Sequence, residues 1–304
     1  MAGLKQIKTK IRSVEKSRQV TKAMEAVSAV KMRKAQQKAL HGRAYARAAA
    51  GILARVSGAR ELQGHLLTQV RPVTNVLYIV ITSDKGLAGA LNSAVLRATS
   101  LDIATHKLPH EAVSVITIGR KAADYFTARG YAVMHSQHNT DSVTSEFIRE
   151  LVDTAVMRFG SGAVDSVKIV YQNFISTFEQ RPTMRTIFPL SLTELEQVVG
   201  DIVPKRGVFA EEAVTERPAG YSIEPSEEEV LAATLPRLAS IFVYHALLES
   251  QASEHSARMV AMKSASDKAG DLRRSLTISF NKARQAAITR EVSEITGGME
   301  AMAV

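Results

Sequence analysis

Two long stretches that favour helix stand at the ends of this 304-residue chain. The first, residues 4–56, contains no proline. Its apolar residues recur at intervals of three and four, and the series runs through Leu4, Ile7, Ile11, Val14, Val20, Met24 and Val27. This spacing predicts the seam of a coiled coil. A helix of this length would extend for about 80 Å, more than one compact domain can cover.

The second stretch begins near Ser226, which forms a predicted capping box with Glu229. Its apolar residues follow similar steps: Leu231, Leu235, Leu238, Phe242, Met259, Met262, Ala269, Leu272 and Leu276. Pro236 predicts either a kink near the start of this helix or its true beginning. The last residues, 280–304, keep only a thin apolar stripe of Ala283, Ala287, Ile288 and Ile295. A globular protein rarely ends in a helix with so few apolar residues.

The middle of the chain alternates between strand and helix patterns. Strands are predicted at 75–82, 112–119 and "YAVMH", and helices from about Leu87, at 120–129 and at 143–159. The segments "SVKIVYQNFIS" and "PTMRTIFPL" follow each other without a helix and should pair as antiparallel strands. The alternation predicts a mostly parallel, doubly wound sheet.

Together these patterns predict a fold that combines α/β structure with long helices. The N- and C-terminal helices form an antiparallel coiled coil, and a Rossmann-like α/β domain lies between them. The predicted domains are 1–57 for the first helix, 73–199 for the α/β domain, 200–225 for a linker or foot rich in proline and glycine, and 226–304 for the last helix.

Composition excludes several classes of function. The chain has no cysteine, which excludes disulfides and thiolate chemistry. No run of apolar residues approaches the length of a membrane span, so we expect any membrane association to be mediated by a partner. The net charge is +9, and residues 1–57 hold fourteen Lys and Arg against only Glu15 and Glu25. A mitochondrial presequence could produce this bias, but the pattern continues for over fifty residues without the serine richness or the break expected of one.

The strand-to-helix turn "ITSDKGLAGALN" (81–92) occupies a position where α/β sheets often bind phosphate. It matches neither glycine-rich nucleotide motif, so we interpret Gly86 and Gly89 as turn residues and predict no cofactor. Asp84 is the best single catalytic candidate, although capping the turn is the simpler role. We find no nucleophile with a base and predict no catalytic residue.

Metal binding is not expected. His106 and His110 have the spacing of a helical metal pair, but Pro109 lies between them and would break the helix. His135 and His138 have no third ligand in view.

The basic first helix is compatible with three different roles. It could bind nucleic acid through phosphates, form a solvated coiled-coil face, or meet an acidic protein partner. Its charges are interleaved with the apolar seam, unlike those of a basic zipper, and only Tyr45 could stack on bases.

Three segments make the chain recognisable. "KQIKTKIRSVEKSRQVTKAMEAVSAVKMRKAQ" (5–36), "ASEHSARMVAMKSASDKAGDL" (252–272) and "FNKARQAAITREVSEITGG" (280–298) closely resemble the gamma subunit of rotary F-type ATP synthase. The turn "SDKGLAGALN" is similar to the same family. The resemblance covers essentially the whole chain in the same order.

The resemblance implies a non-catalytic central rotor shaft that couples ion-driven rotation of the c-ring to the beta-subunit catalytic sites. Its implied partners are the alpha and beta subunits of the catalytic hexamer, the epsilon subunit and the c-ring, with no nucleic acid and no membrane contact except through the c-ring. The family motif begins within the first few residues, which predicts a peripheral protein on the cytoplasmic face of a bacterial plasma membrane.

The resemblance also implies partner contacts by matching position. In the first helix these are Met24, Lys31, Arg33 and Lys34, which fall in the segment that meets acidic lever loops of beta. Near the C-terminus they are Arg284, Gln285 and Thr289, which match the contact with a catch loop of beta. Tyr221 and Glu224 match the foot near the c-ring.

The chain departs from the family pattern at a few positions. Ala88 and Ala90 replace a cysteine and a glycine, and Pro236 and Lys268 are unusual. The absence of cysteine also excludes the dithiol regulation of chloroplast relatives.

Two alternatives to the rotor hypothesis make different predictions. A nucleic-acid-binding coiled coil predicts salt-sensitive DNA binding. A nucleotide-dependent α/β enzyme predicts activity of the isolated chain.

Overall fold

The computed structural model describes residues 2–56, 64–140, 143–190 and 226–302. The chain divides into two compact units. We call Met1–Ala29 with Arg258–Val304 the coiled-coil unit, and Val30–Ala257 the sheet unit. Helices α1 (Ala2–Val56) and α5 (Glu227–Met302) each contribute residues to both units.

The sheet unit contains five strands: β1 (Val76–Ile81), β2 (Val113–Ile118), β3 (Ala132–Gln137), β4 (Ser166–Phe174) and β5 (Gln180–Phe188). Their spatial order is β3-β2-β1-β4-β5. The first four strands pair in parallel, and β5 is antiparallel to β4. The predicted fold class, including the antiparallel last pair, is therefore confirmed.

Helices cover both faces of this sheet. On one face α2 (Leu91–Thr105) and α3 (Arg120–Thr127) pack on the alternate residues Val76, Tyr78 and Val80 of β1. On the other face α4 (Ser145–Gly160) and the first part of α5 pack on Leu77, Ile79 and Ile81. All six residues of β1 are buried, which is why its sequence is continuously apolar.

The first part of α5 belongs to the core. Ser226 Oγ accepts a hydrogen bond from the Glu229 N–H at 3.2 Å, as the predicted cap requires. Pro236 lies inside the helix and not at its start.

By length and composition alone, α5 contains a stretch that could cross a membrane, which the sequence argument did not identify. Leu231, Leu235 and Leu238 from this part of α5 are buried in the core, which accounts for its hydrophobicity.

Helix α2 begins later than predicted, at Leu91 and not near Leu87. Leu87 and Gly89 both have positive φ angles, 64° and 59°. Left-handed residues interrupt a right-handed helix, so the turn after β1 takes four more residues than the hydrophobic pattern suggested.

The coiled-coil unit has a seam on each helix, made mostly of buried and half-buried residues. On α1 the seam runs through Leu4, Ile7, Ile11, Val14, Arg18, Thr21, Glu25 and Ser28. On α5 it runs through Met262, Ser266, Ala269, Arg273, Leu276, Phe280, Ala283 and Ala287, of which Arg273 is the most exposed. The steps alternate between three and four, as in a heptad repeat.

The predicted seam was wrong at three positions. Val20 and Val27 are 58% and 57% exposed, and Leu272 is 50% exposed. The heptad continues from Val14 to Arg18, so polar residues occupy the seam where apolar ones were expected. The valines belong to the outer surface of the helix pair.

Candidate functional site

The candidate site comprises exposed surfaces of the two long helices, and an ion-pair network fixes the register of these helices within the coiled-coil unit. Glu15 Oε2 lies 2.9 Å from Arg273 Nη1 on the other helix. Arg18, three residues along α1, donates to both oxygens of the same carboxylate at 3.0 and 3.3 Å. The hydrogen bond from Arg18, helped by the charges of both arginines, holds the pKa of Glu15 below its ordinary value.

These contacts establish that the two helices are antiparallel. Glu15 meets Arg273, whereas Arg18 lies beside Gly270, where an added Cβ would be 3.8 Å from Arg18 Cδ. Residue numbers therefore rise on α1 as they fall on α5. Continuing this register brings Ala2, the first described residue of α1, level with residue 286.

The last part of α5 consequently has no part of the described α1 beside it. From Ile288 to Met302 it continues for about 22 Å at the normal helical rise. Residues 288–296 are all exposed. Four large apolar side chains with steps of four, three and four are 52–68% exposed here: Ile288, Val292, Ile295 and Met299. The thin apolar stripe predicted from the sequence is therefore divided. Ala283 and Ala287 face α1, whereas Ile288 and Ile295 do not.

The predicted contact residues lie at separate places on the two long helices. Met24 is half-buried near the seam, whereas Lys31, Arg33 and Lys34 are exposed on α1. On α5 the three predicted residues are exposed and lie within two turns: Arg284, Gln285 and Thr289. Gln285 and Thr289 share one face because they are four apart. Tyr221 and Glu224 lie outside the described residues.

Sequence reasoning missed part of this surface. Val20, Ala23 and Val27 form an exposed small-to-medium apolar stripe on α1. The signal was present in the spacing, because a step of six from Val14 to Val20 is incompatible with one heptad seam.

Asp84 at the end of β1 serves the fold. Its Oδ1 accepts hydrogen bonds from the backbone N–H groups of Arg120 at 2.8 Å and Asn139 at 3.2 Å. His138 Nδ1 lies 3.4 Å from the same oxygen. The carboxylate therefore joins the ends of three neighbouring strands, which agrees with the simpler role expected for it.

The rest of this edge is also occupied by internal contacts. Asn139 Nδ2 donates to the Thr82 carbonyl at 2.8 Å, and its Oδ1 accepts from Gln251 Nε2 at 2.9 Å. Asn92 Oδ1 accepts from the Ser83 N–H at 2.9 Å and so ties α2 to the strand. These hydrogen bonds tie the turn to neighbouring elements of the sheet unit.

A second carboxylate cluster, not anticipated from the sequence, lies between β1, β4 and α2. Asp102 Oδ2 accepts from the Tyr78 hydroxyl at 2.5 Å and from Lys168 Nζ at 2.7 Å. Burial raises the pKa of Tyr78, and the hydrogen bond to Asp102 raises it further. This cluster satisfies polar groups under α2.

The histidines of the sheet unit make pairwise contacts. His106 Nδ1 is 3.4 Å from Asp102 Oδ1, and His110 stacks on Tyr131 with ring centroids 4.2 Å apart. Within residues 2–56, 64–140, 143–190 and 226–302, no three His, Asp or Glu side chains converge as a metal site would require.

Comparison with known proteins places these features in a family context. The family model described as ATP synthase matches residues 3–302. A chain in the central stalk and c-ring structure of Tetrahymena thermophila mitochondrial ATP synthase is 24% identical with a TM-score of 0.60, and the match covers 81% of this chain and 99% of that one.

Two chains from Euglena gracilis mitochondrial ATP synthase share the fold as well. One, from the OSCP/F1/c-ring structure in rotational state 3, is 19% identical with a TM-score of 0.65, over 99% of this chain and 95% of that one. The other, from the rotor structure in rotational state 1, is 17% identical with a TM-score of 0.60, over 94% and 99%.

Proposed function

The chain belongs to the gamma-subunit family of ATP synthase, and on that premise we propose that it is the non-catalytic central shaft of a rotary F-type ATP synthase. In this role it transmits rotation of an ion-driven c-ring to the catalytic sites of beta subunits.

One observation carries the proposal: the last fifteen residues of α5 continue beyond α1 as a single helix with four exposed apolar side chains, Ile288 to Met299. A lone helix in water gains little from its apolar stripe, so the stripe needs a surrounding surface. The bore of a ring of alternating alpha and beta subunits supplies such a surface and admits only a slim rod.

Rotation can change the catalytic sites because the shaft is asymmetric. Three identical sites differ only if a partner binds their states with different affinity. Moving one site from about 1:99 to 99:1 requires a difference of roughly 5.5 kcal/mol. The exposed basic residues Lys31, Arg33 and Lys34 on α1 are suited to an acidic lever loop of beta. Arg284, Gln285 and Thr289 on α5 are suited to a second loop of beta, the catch loop. Each contact would engage one beta subunit at a time.

The remaining partners follow from the same premise. Attachment to the epsilon subunit and the c-ring would place the chain at a membrane surface without crossing it. The residues suggested for this end, Tyr221 and Glu224, and a location on the cytoplasmic face of a bacterial plasma membrane stay predictions from the sequence.

Reconstitution tests the proposal. The full chain is combined with alpha and beta subunits, and ATP hydrolysis and rotation of a bead on the sheet unit are measured. We expect rotation that depends on the chain, and we expect Arg284→Ala to reduce torque or rotational rate at unchanged thermal stability, since the side chain is exposed. Arg274→Ala, an exposed arginine on the same helix, is the matched control. ATP hydrolysis by the isolated chain, or assembly without rotation, would contradict the proposal.

A further inference from the structure

A single 3₁₀ turn, Leu66–Thr68, lies before β1 in the sheet unit and attaches two distant parts of the chain to one core. We call it the Leu67 turn. Leu67 is buried in the core that also contains Phe159 of α4 and Leu231 of α5. Its carbonyl accepts a hydrogen bond at 2.8 Å from the N–H of Leu190, which follows β5. Release of this turn would therefore loosen the chain both before β1 and after β5.

A histidine caps the Leu67 turn. His65 Nδ1 accepts a hydrogen bond from the Leu67 N–H at 3.2 Å, and the His65 carbonyl accepts from the Thr68 N–H at 3.0 Å. Nδ1 accepts only when it carries no proton, so the ring is neutral here and bears its proton on Nε2. The usual capping residues Ser, Thr, Asp and Asn remain acceptors near neutral pH. Histidine does not, because protonation turns Nδ1 into a donor.

Two influences act on the His65 ring in opposite directions. Burial lowers the pKa of His65 from its ordinary value of 6.5, and the negative charge of Glu228, in the first turn of α5, partly offsets this effect. The neutral ring is therefore favoured while the turn stays attached.

The segments packed against the Leu67 turn carry further charged residues. These are Asp153 and Arg158 in the last two turns of α4, Glu227 and Glu229 at the start of α5, and Arg71 after the turn. Arg71 is engaged by α4, because its Nη1 donates to the Phe159 carbonyl at 3.0 Å. Residues 186–190, which end β5 and lead to Leu190, carry no charge.

We propose that His65 is a pH-sensitive cap whose protonation releases the Leu67 turn from the core of the sheet unit. A proton from solvent on Nδ1 places two N–H groups against each other, and the Leu67 N–H loses its acceptor. When the turn moves away, the Leu67 carbonyl also leaves the Leu190 N–H. This device goes beyond the proposed function and does not depend on it, because its parts all belong to the sheet unit.

The direction of the pH response follows from linkage. In the released turn His65 is exposed to water and has its ordinary pKa of 6.5, above that of the attached turn. The stability that the neutral cap contributes is therefore fully present above pH 6.5. It is lost as the pH falls from 6.5 towards the pKa of the attached ring. Between pH 7.5 and 5.5, a released state with a pKa of 6.5 gains at most about tenfold in population.

Amide hydrogen exchange of the full chain, resolved to single residues, tests the proposal. Rates at pH 7.5 and 5.5 are divided by the intrinsic exchange rate at each pH. We expect the protection of both Leu67 and Leu190 to fall by about three- to tenfold in the wild type at pH 5.5. The fall should begin near pH 6.5.

Three variants separate the cap from other effects of pH. His65→Asn supplies a side-chain oxygen at the cap and does not titrate, so protection should be independent of pH. His65→Ala has no acceptor and should show low protection of both amides at both pH values. His110→Asn is the matched control, since His110 belongs to the turn before β2 and stacks on Tyr131. It should keep the wild-type response.

Equal pH responses of wild type and His65→Asn, or a wild-type change below about threefold, would overturn the inference. So would a response of Leu67 without Leu190, because the cap would then fray without releasing the turn. The wild-type profile decides without any variant as well. Loss of protection that begins only below about pH 5, where carboxylates titrate, would rule out His65 as the responsible group.

Discussion

Glu15 and Arg273 meet at 2.9 Å although 258 residues separate them in the chain. Arg273 occupies a seam position, where a coiled coil usually places apolar residues, and Glu15 lies beside the seam and also binds the seam residue Arg18. Polar seam residues tend to select one register, because any other alignment leaves them facing an apolar neighbour. We therefore interpret the Glu15 network as a register determinant for the helix pair.

Charge reversal tests that interpretation. Glu15→Arg would place three arginines together and should lower the melting temperature of the chain, and adding Arg273→Glu should recover part of the loss. Thermal unfolding followed by circular dichroism measures the difference. An exposed control reversal, Glu291→Arg on the unaccompanied part of α5, should have little effect. Equal effects at positions 15 and 291 would show that the pair does not determine the register.

The same carboxylate predicts a pH dependence. The pKa of Glu15 is lowered in the folded chain from an ordinary value of 4.5, chiefly by Arg18. A depressed pKa contributes stability that is present above pH 4.5 and is lost as the pH falls through the folded-state pKa. The difference in melting temperature between wild type and Glu15→Gln should therefore shrink when the pH is lowered from 7 to 3. A difference that is constant over this range would contradict the assignment.

Gly119 joins β2 to α3 in a conformation that no other residue fits. Its φ is 105°, and a Cβ there would lie 2.1 Å from the Thr82 carbonyl oxygen. Gly119→Ala should destabilise the sheet unit by about 3 kcal/mol or more, since backbone must move. Gly130→Ala, with φ of 79° and open space around the Cβ, should cost only about 1 kcal/mol. Both variants carry the cost of a positive φ, and only Gly119→Ala adds the steric clash. Urea unfolding of both variants therefore measures the contribution of the clash.

Asp84 can be tested as a structural residue. Asp84→Ala leaves the N–H groups of Arg120 and Asn139 without their acceptor and should cost about 1–3 kcal/mol in the free energy of unfolding. Asp124→Ala removes an exposed carboxylate 3.5 Å from Arg120 and should change stability by less than about 0.5 kcal/mol. If the two substitutions have equal effects, Asp84 does not hold the strand ends together.

Local patterns were sufficient for the elements of the sheet unit. β1 was predicted at 75–82 and is found at Val76–Ile81, and α4 was predicted at 143–159 and is found at Ser145–Gly160. These predictions succeed because periodicity depends on residues within one or two turns. The start of α2 was misplaced because the left-handed Leu87 has no signature in the hydrophobic pattern.

The amino-acid sequence by itself determined that both ends are helical, that the middle is a doubly wound α/β unit, and which family the chain resembles. Only the tertiary structure decided which side of α1 forms the seam, with Arg18 and Thr21 inward and Val20 and Val27 outward. It also decided the partners of Asp84 and Asp102. The physical reason is common to all of them: the role of a seam position or of a partly buried carboxylate is defined by the groups that face it, and those groups come from distant parts of the chain.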